Sequence, residues 1–251
     1  MKFGRHGILF VISAPSGAGK TTVVQSLRTT GNFFYSVSCT TRAPRGGEID
    51  GTDYHFLSHA DFLAKLEARD FLEHAKVHGD YYGTLREPVL SNLKNGGDVL
   101  IDIDTQGAAA IRNSEDPIVR QALADIFIMP PDVEELRRRL TKRGTETAQQ
   151  IDSRLATATR EMELWRDYRY TIVSGSVEED LANVRHIMKW SSSHNNARRH
   201  GAKRIGNAAT NCVSRSQRSG GKCAIRKMGQ SSRVALDLHS TFAFIALRTC
   251  N

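Results

Sequence analysis

The sequence predicts an α/β fold built on a mostly parallel sheet flanked by helices, and three observations carry that expectation. Short apolar runs recur along the chain: "ILFVI" (8–12), "DVLIDID" (98–104), "DIFIM" (125–129) and "YTIV" (170–173). Such runs suit strands buried on both faces of a sheet. Helical patterns alternate with them, as parallel strands require of their crossovers. A glycine-rich turn, "SAPSGAGKTT" (13–22), stands between the first run and the first helix.

Taken in order, the first helix is expected from Lys20 to about Thr30, closing near Gly31. Residues 33–86 then break the rhythm, with short strand-like pieces, one helix ("ADFLAKLEARD", 60–70) and many polar loop residues. They predict an inserted lobe over the edge of the main sheet. "REPVLSNLKN" (86–95) reads as a helix ending at Gly96, and Asp132 with Glu135 forms a capping-box signal after two prolines. A stretch rich in Arg and Thr, 138–155, joins two helices and is expected to be a mobile lid. "TAQQIDSRLATATREMELWRDY" (147–168) is a long helix, and Ser176 with Glu179 caps the last one, expected to run to about Trp190.

A chain of 251 residues can bury one substantial core. Its net charge of +8 suggests a nucleic-acid partner, but the distribution argues otherwise. Residues 1–190 carry 24 Lys+Arg against 26 Asp+Glu, whereas 191–251 carry 11 against 1. The excess belongs to the tail, so the body is expected to have no specific nucleic-acid partner. The tail, with the Ser/Asn/Gly/Arg bias of "SSSHNNARRHGAKRIGNAATNCVSRSQRSGGK", reads as disordered and able to bind polyanions non-specifically. A basic arm and a read-through or out-of-frame extension both fit it. "STFAFIAL" (240–247) is too short and isolated to count as a domain. The body has one cysteine, Cys39, against Cys212, Cys223 and Cys250 in the tail, which suggests a reducing, cytoplasmic setting without a disulfide framework. No apolar run reaches membrane-span length. The start resembles a signal peptide only loosely, and cleavage after Ala14 would remove the strand that supports the glycine turn.

That turn, "APSGAGKT", fits G-x-x-x-x-G-K-S/T at every position but the first, which is Ala14. Ala14, Pro15, Ser16, Gly17, Ala18, Gly19, Lys20 and Thr21 therefore form a candidate polyphosphate cradle. Gly17 and Gly19 let backbone N–H groups turn inward at a helix start, Lys20 reaches the outer phosphates, and the Thr21 hydroxyl suits Mg²⁺. The motif identifies a nucleotide and not a reaction, and a P-loop ATPase or GTPase is one reading of it. A second anion site argues for an acceptor instead of water. In "SCTTRAPRGGEIDGTDYHF" (38–56), Arg42 and Arg45 offer bidentate cations on a glycine-constrained loop, and Tyr54 adds a hydroxyl donor.

The chain resembles the guanylate kinase family from about residue 7 to residue 190. The resemblance rests on "SAPSGAGKT", "SVSCTTRAPRGGEIDGTDYHF", "FLEHA", "GDYYGT", "LIDIDTQGA" and "RLTKRGTET…IDSRL" in that order. It implies a P-loop NTPase-type sheet with an inserted GMP-binding lobe (33–86) and a lid (138–155). The implied activity is Mg²⁺-dependent transfer of the terminal phosphate of ATP to GMP, with those two nucleotides as the small-molecule partners. By resemblance, Arg42, Arg45, Tyr54 and Tyr82 would hold the GMP phosphate, Ser38 and Thr84 would offer hydroxyls to the base, and Glu73 and Asp104 would read guanine. Asp102 would join the Mg²⁺ shell with Thr21, and Lys20, Arg143 and Arg154 would act on the phosphates in transfer. "IVSGS" (172–176) stands where the family usually has an Asn-Asp pair, and the tail does not resemble the family's final charged helix. Inactive guanylate-kinase-like binding modules share the fold, but they typically have a damaged phosphate loop.

Overall fold

The structure is a computed structural model that describes residues 7–77, 79–143, 147–200 and 245–247; the side chains of Arg143, of 194–200 and of 245–247 are outside that description. The expected disorder of the tail therefore lies, for 201–244 and 248–251, outside the described residues.

Strand β1 (Leu9–Ser13) is buried along its whole length. It lies parallel between β7 (Val99–Asp102) and β8 (Leu123–Met129). β2 (Phe34–Tyr35) adds parallel to β7, β9 (Tyr170–Val173) parallel to β8, and β10 (Ile245–Leu247) antiparallel to β9. The order among the described residues is β10-β9-β8-β1-β7-β2. Alternate β1 residues feed two cores, as the two-residue repeat of a strand dictates. Phe10 and Ile12 meet Val23 and Leu27 of α1 (Lys20–Arg28) and Val184 and Ile187 of α8 (Val177–His200) on one face. Leu9 and Val11 meet α3 (Arg86–Lys94), α4 (Thr105–Arg112) and α5 (Pro117–Ala122) on the other, through Val89, Leu93, Ile111 and Val119. The glycine turn thus leaves the carboxyl end of a central strand, where open α/β sheets bind ligands.

A separate four-stranded sheet has the order β4-β3-β6-β5, formed by β3 (Cys39–Thr40), β4 (His55–Phe56), β5 (Phe71–Val77) and β6 (Asp80–Leu85). α2 (His59–Glu67), N-capped by Ser58, closes it over a small core of Cys39, Phe62 and Phe71. A third packing unit pairs α6 (Val133–Arg143) with α7 (Ala148–Glu163) through Leu136, Leu140, Ile151, Leu155 and Ala158.

The structure corrects several expectations. Phe34 and Tyr35 belong to the main sheet and not to the lobe, because Phe34 N–H bonds Asp98 O and Ser36 N–H bonds Leu100 O. Most of 138–155 is helix, with the connection at 144–146 outside the described residues. At Asp132 only half of the capping box forms. Its carboxylate accepts from Glu135 N–H at 2.7 Å, while the Glu135 side chain turns to Arg138 and Arg139. α8 continues past Trp190 to His200, since Ser191 is buried against the Tyr170 hydroxyl (3.1 Å) and the Ser192 hydroxyl reaches Asp98. Part of the late apolar piece, Ile245–Leu247, pairs with the sheet edge. Among the described residues, no helix is long and apolar enough to cross a membrane.

Candidate active site

The phosphate loop depends on two glycines whose φ angles, 90° at Gly17 and 97° at Gly19, lie in the left-handed region. Gly19 is the N-cap of α1 and supplies no side-chain cap, so the Lys20 and Thr21 N–H groups remain available to a bound anion, while Thr22 N–H already bonds Gly19 O at 3.2 Å. Lys20 Nζ donates to Ile103 O at 2.9 Å and lies 3.7 Å from Asp102 Oδ2. The other oxygen of Asp102 accepts from the Tyr35 hydroxyl at 2.6 Å. Burial, reinforced by the Asp102 charge, pushes the Tyr35 hydroxyl far above its ordinary pKa and keeps it a donor. Thr21 and Asp102 offer a hydroxyl and a carboxylate oxygen, a hard donor pair. Such a pair fits Mg²⁺, which binds few protein oxygens and retains water and phosphate ligands.

Both helices of the α6–α7 unit touch this loop. A Cβ at Gly17 would stand 2.8 Å from Leu140 Cδ2, so glycine is needed there for close approach as well as for its backbone angle. Arg139 donates to Ala18 O (3.2 Å), to Ser174 Oγ (3.0 Å) and to Glu135 (2.8 Å). Ser174 in turn donates to Asp180 at 2.7 Å, and Gly175 N–H bonds the same carboxylate. The unusual "IVSGS" segment is thus fastened to the phosphate loop through Arg139. From α7, Glu161 Oε2 accepts the Ser16 N–H at 3.3 Å.

The second site is assembled in the lobe. Arg42 donates to Glu48 Oε1 at 2.8 Å, and its guanidinium lies 5.3 Å from the Tyr54 ring centre. Tyr54 and Tyr82 pack edge-to-face with ring centres 6.0 Å apart. The other oxygen of Glu48 accepts the Arg45 N–H at 2.7 Å. The Arg42 hydrogen bond holds the Glu48 carboxyl below the usual carboxylate range. Arg42, Tyr54 and Tyr82 are therefore brought together, with Arg45 held beside them through its backbone and its side chain exposed.

Thr84, within β6, and Ser38, just before β3, are buried, and Glu73 is only 6% exposed. Thr84 Oγ1 donates to Glu73 Oε1 at 2.6 Å. Burial pushes the Glu73 carboxyl up to about 7, against the opposing pull of the Thr84 hydrogen bond; Asp104 raises it further and Lys20 lowers it. Asp104 N-caps α4, accepting the Gly107 N–H at 2.8 Å. Glu73 lies against that same turn, so close that a Cβ on Gly107 would stand 2.5 Å from Glu73 Oε2. The two carboxylates predicted to read a base thus share one helix terminus. Lys20 is near enough to bear on Glu73, so the phosphate loop and the Glu73 carboxylate adjoin.

Arg154 is half-buried on α7, and the Arg143 side chain lies outside the described residues. Sequence reasoning missed Tyr35, Glu48, Gly107, Arg139 and Glu161. Glu48 had a weak signal, an acid three residues after Arg45, and Glu161 had another, its two-turn spacing from Arg154. Nothing in the sequence distinguishes Tyr35, or Arg139 from its neighbours Arg137 and Arg138.

Fold and site together define a P-loop phosphotransferase. The guanylate kinase family model matches residues 7–191. A guanylate kinase of Clostridium tetani is 43% identical over 183 residues, covering 72% of this chain and 85% of its own. One of Alkalilimnicola ehrlichii is 45% identical over 182 residues, covering 72% and 87%. The crystal structure of a guanylate kinase from Anaplasma phagocytophilum superposes with a TM-score of 0.62 at 32% identity, covering 85% of this chain and 97% of that one. The chain belongs to the guanylate kinase family.

Proposed function

We infer that the chain is an ATP:GMP phosphotransferase, giving ADP and GDP, with the phosphate loop as donor site and the lobe as acceptor site. The observation that carries the reading is the Glu73–Asp104 pair. Guanine presents N1–H and a 2-amino group side by side, and a carboxylate can accept from both, whereas adenine lacks that pair of donors. A buried carboxylate, fixed by Thr84 and close enough to Lys20 to feel its charge, is suited to recognising such a base.

In this reading the Ala14–Thr21 loop wraps the ATP phosphates, with backbone N–H groups supplied by Gly17, Gly19, Lys20 and Thr21, and Lys20 neutralises charge on the group in transfer. Arg42, Arg45, Tyr54 and Tyr82 hold the GMP phosphate, while Ser38 and Thr84 line the base side. Thr21 and Asp102, the latter steadied by Tyr35, would hold Mg²⁺, which when bound offsets phosphate charge. Arg143 and Arg154 close over the phosphates from the α6–α7 unit and help to exclude water. Catalysis of this kind rests on positioning and charge neutralisation, so no histidine is assigned a role. The intact Lys20–Asp102 arrangement disfavours an inactive binding module. A buried free thiol at Cys39, pushed up to about 11 by burial, supports a cytoplasmic setting.

The test is ADP formation from ATP with GMP or AMP as acceptor. Each charge-assisted bond to the base is worth about 1.5–3 kcal/mol, so Glu73→Gln should lower the GMP:AMP ratio of kcat/KM by roughly one to two powers of ten. Arg42→Ala should weaken both acceptors alike, because a phosphate contact carries no base information. An unchanged ratio in Glu73→Gln would remove Glu73 from base recognition.

A further inference from the structure

We propose that Glu161 is a positioning residue for the donor half of the reaction, tying the phosphate loop to lid helix α7 so that loop and lid arginine keep one geometry. This role rests on the assignment of the ATP phosphates to that loop. Four observations converge on it. Glu161 Oε2 accepts the backbone N–H of Ser16 at 3.3 Å, across 145 residues of chain. The Thr105 side chain, in the first turn of α4 and one residue after Asp104, is near enough to favour the charged form of the same carboxylate. Lys20 and Asp104 both act on its charge, so it stands where loop, lid and base-reading turn meet. Arg154 lies seven residues earlier, two helical turns along the same side of α7.

The loop is therefore gripped from both lid helices, through Ala18 O by Arg139 of α6 and through Ser16 N–H by Glu161 of α7. A carboxylate beside a polyphosphate site costs electrostatic energy. The residue is useful there as an oxygen acceptor, and its negative charge works against donor binding. The two contributions can be separated, because glutamine keeps the acceptor and loses the charge.

The experiment compares Glu161→Ala, Glu161→Gln and Lys20→Ala in steady-state assays with ATP and GMP varied independently, alongside thermal unfolding. Glu161→Ala is expected to raise KM for ATP about tenfold while KM for GMP stays within about twofold, a loss on the order of one hydrogen bond's orienting effect. Glu161→Gln is expected to recover the wild-type KM for ATP or fall below it. Three results would overturn the role. One is Glu161→Ala tightening ATP as glutamine does, since the side chain then acts only as a charge. Another is equal losses for both nucleotides tracking a fall in Tm, since the residue is then merely structural. The third is Lys20→Ala with normal ATP dependence, which removes the loop assignment itself and this role with it.

Discussion

Glu73 carries more of the functional reading than any other single residue, and its state of protonation follows from its surroundings. In the free protein its carboxyl titrates at about 7, chiefly because burial disfavours the charged form. Guanine donors favour that charged form, so binding GMP below neutrality must expel a proton. The apparent GMP affinity should rise roughly tenfold between about pH 6 and pH 8 from this group alone. GMP's own phosphate ionisation also falls in this range, so the quantity to compare is the pH dependence of KM for GMP in wild type minus that in Glu73→Gln. Calorimetry in buffers of different ionisation enthalpy should detect proton release near pH 6 and none at pH 8. Matching profiles in the two proteins would contradict the assignment. The folding linkage has the opposite sense. A carboxyl raised above its unfolded value adds stability that is complete below about 4.5 and lost as pH rises through about 7. Glu73 alone in "FLEHA" reads as an exposed strand residue, and only the family resemblance singled it out. The reason is a register shift between Phe71 and Glu73 that sets Glu73 opposite Thr84. A bulge of this kind leaves no mark in residue types.

At the scale of elements, four strands of the main sheet and the starts of α1, α2, α3, α6, α7 and α8 were largely legible, because they depend on local chemistry, whereas α4 and α5 were not read. Four apolar runs became strands, and the Ser176–Glu179 signal became a reciprocal cap. What escaped depended on distant partners. β2 is two residues paired by backbone to β7, and α8 outlasts its apolar face because Ser191 and Ser192 find Tyr170 and Asp98. α4 shows local preference and site packing in direct conflict. Glycine in a helix costs about 1 kcal/mol relative to alanine, so Gly107→Ala should hold or raise stability. Its Cβ would nevertheless lie 2.5 Å from Glu73 Oε2 and 3.1 Å from Glu73 Cδ, forcing the carboxylate away. The expected result is an unchanged or higher Tm with kcat/KM for GMP lowered by roughly tenfold or more, and KM for ATP little altered. Unchanged GMP kinetics in a folded Gly107→Ala variant would mean that Glu73 can relax without loss, contrary to a fixed base-reading geometry.

The whole molecule divides by charge, and that division was plain in the sequence. Residues beyond His200 carry 9 Lys+Arg against one Asp, whereas residues 1–190 carry a slight acidic excess. Which parts of the basic region meet the body was not legible, since a short strand added to a sheet edge through backbone bonds requires no particular residue. The contacts predict different outcomes for two truncations. A chain ending at His200 keeps the Tyr170–Ser191 and Asp98–Ser192 bonds and every residue assigned to the site. It should retain kcat/KM within about twofold and leave a heparin column at clearly lower salt, because polyanion binding follows the number of cations offered. It also uncovers the β9 edge that β10 pairs with, so its aggregation at high concentration should increase. A chain ending at Trp190 loses both serine bonds and leaves the buried Tyr170 hydroxyl without the Ser191 partner. At about 1 kcal/mol per bond, Tm should fall by roughly 4–8 °C while the chemistry of the remaining folded enzyme is unchanged. Equal Tm values for the two chains would show that the serine contacts contribute nothing. A large loss of kcat/KM in the chain ending at His200 would show that the basic region reaches the site.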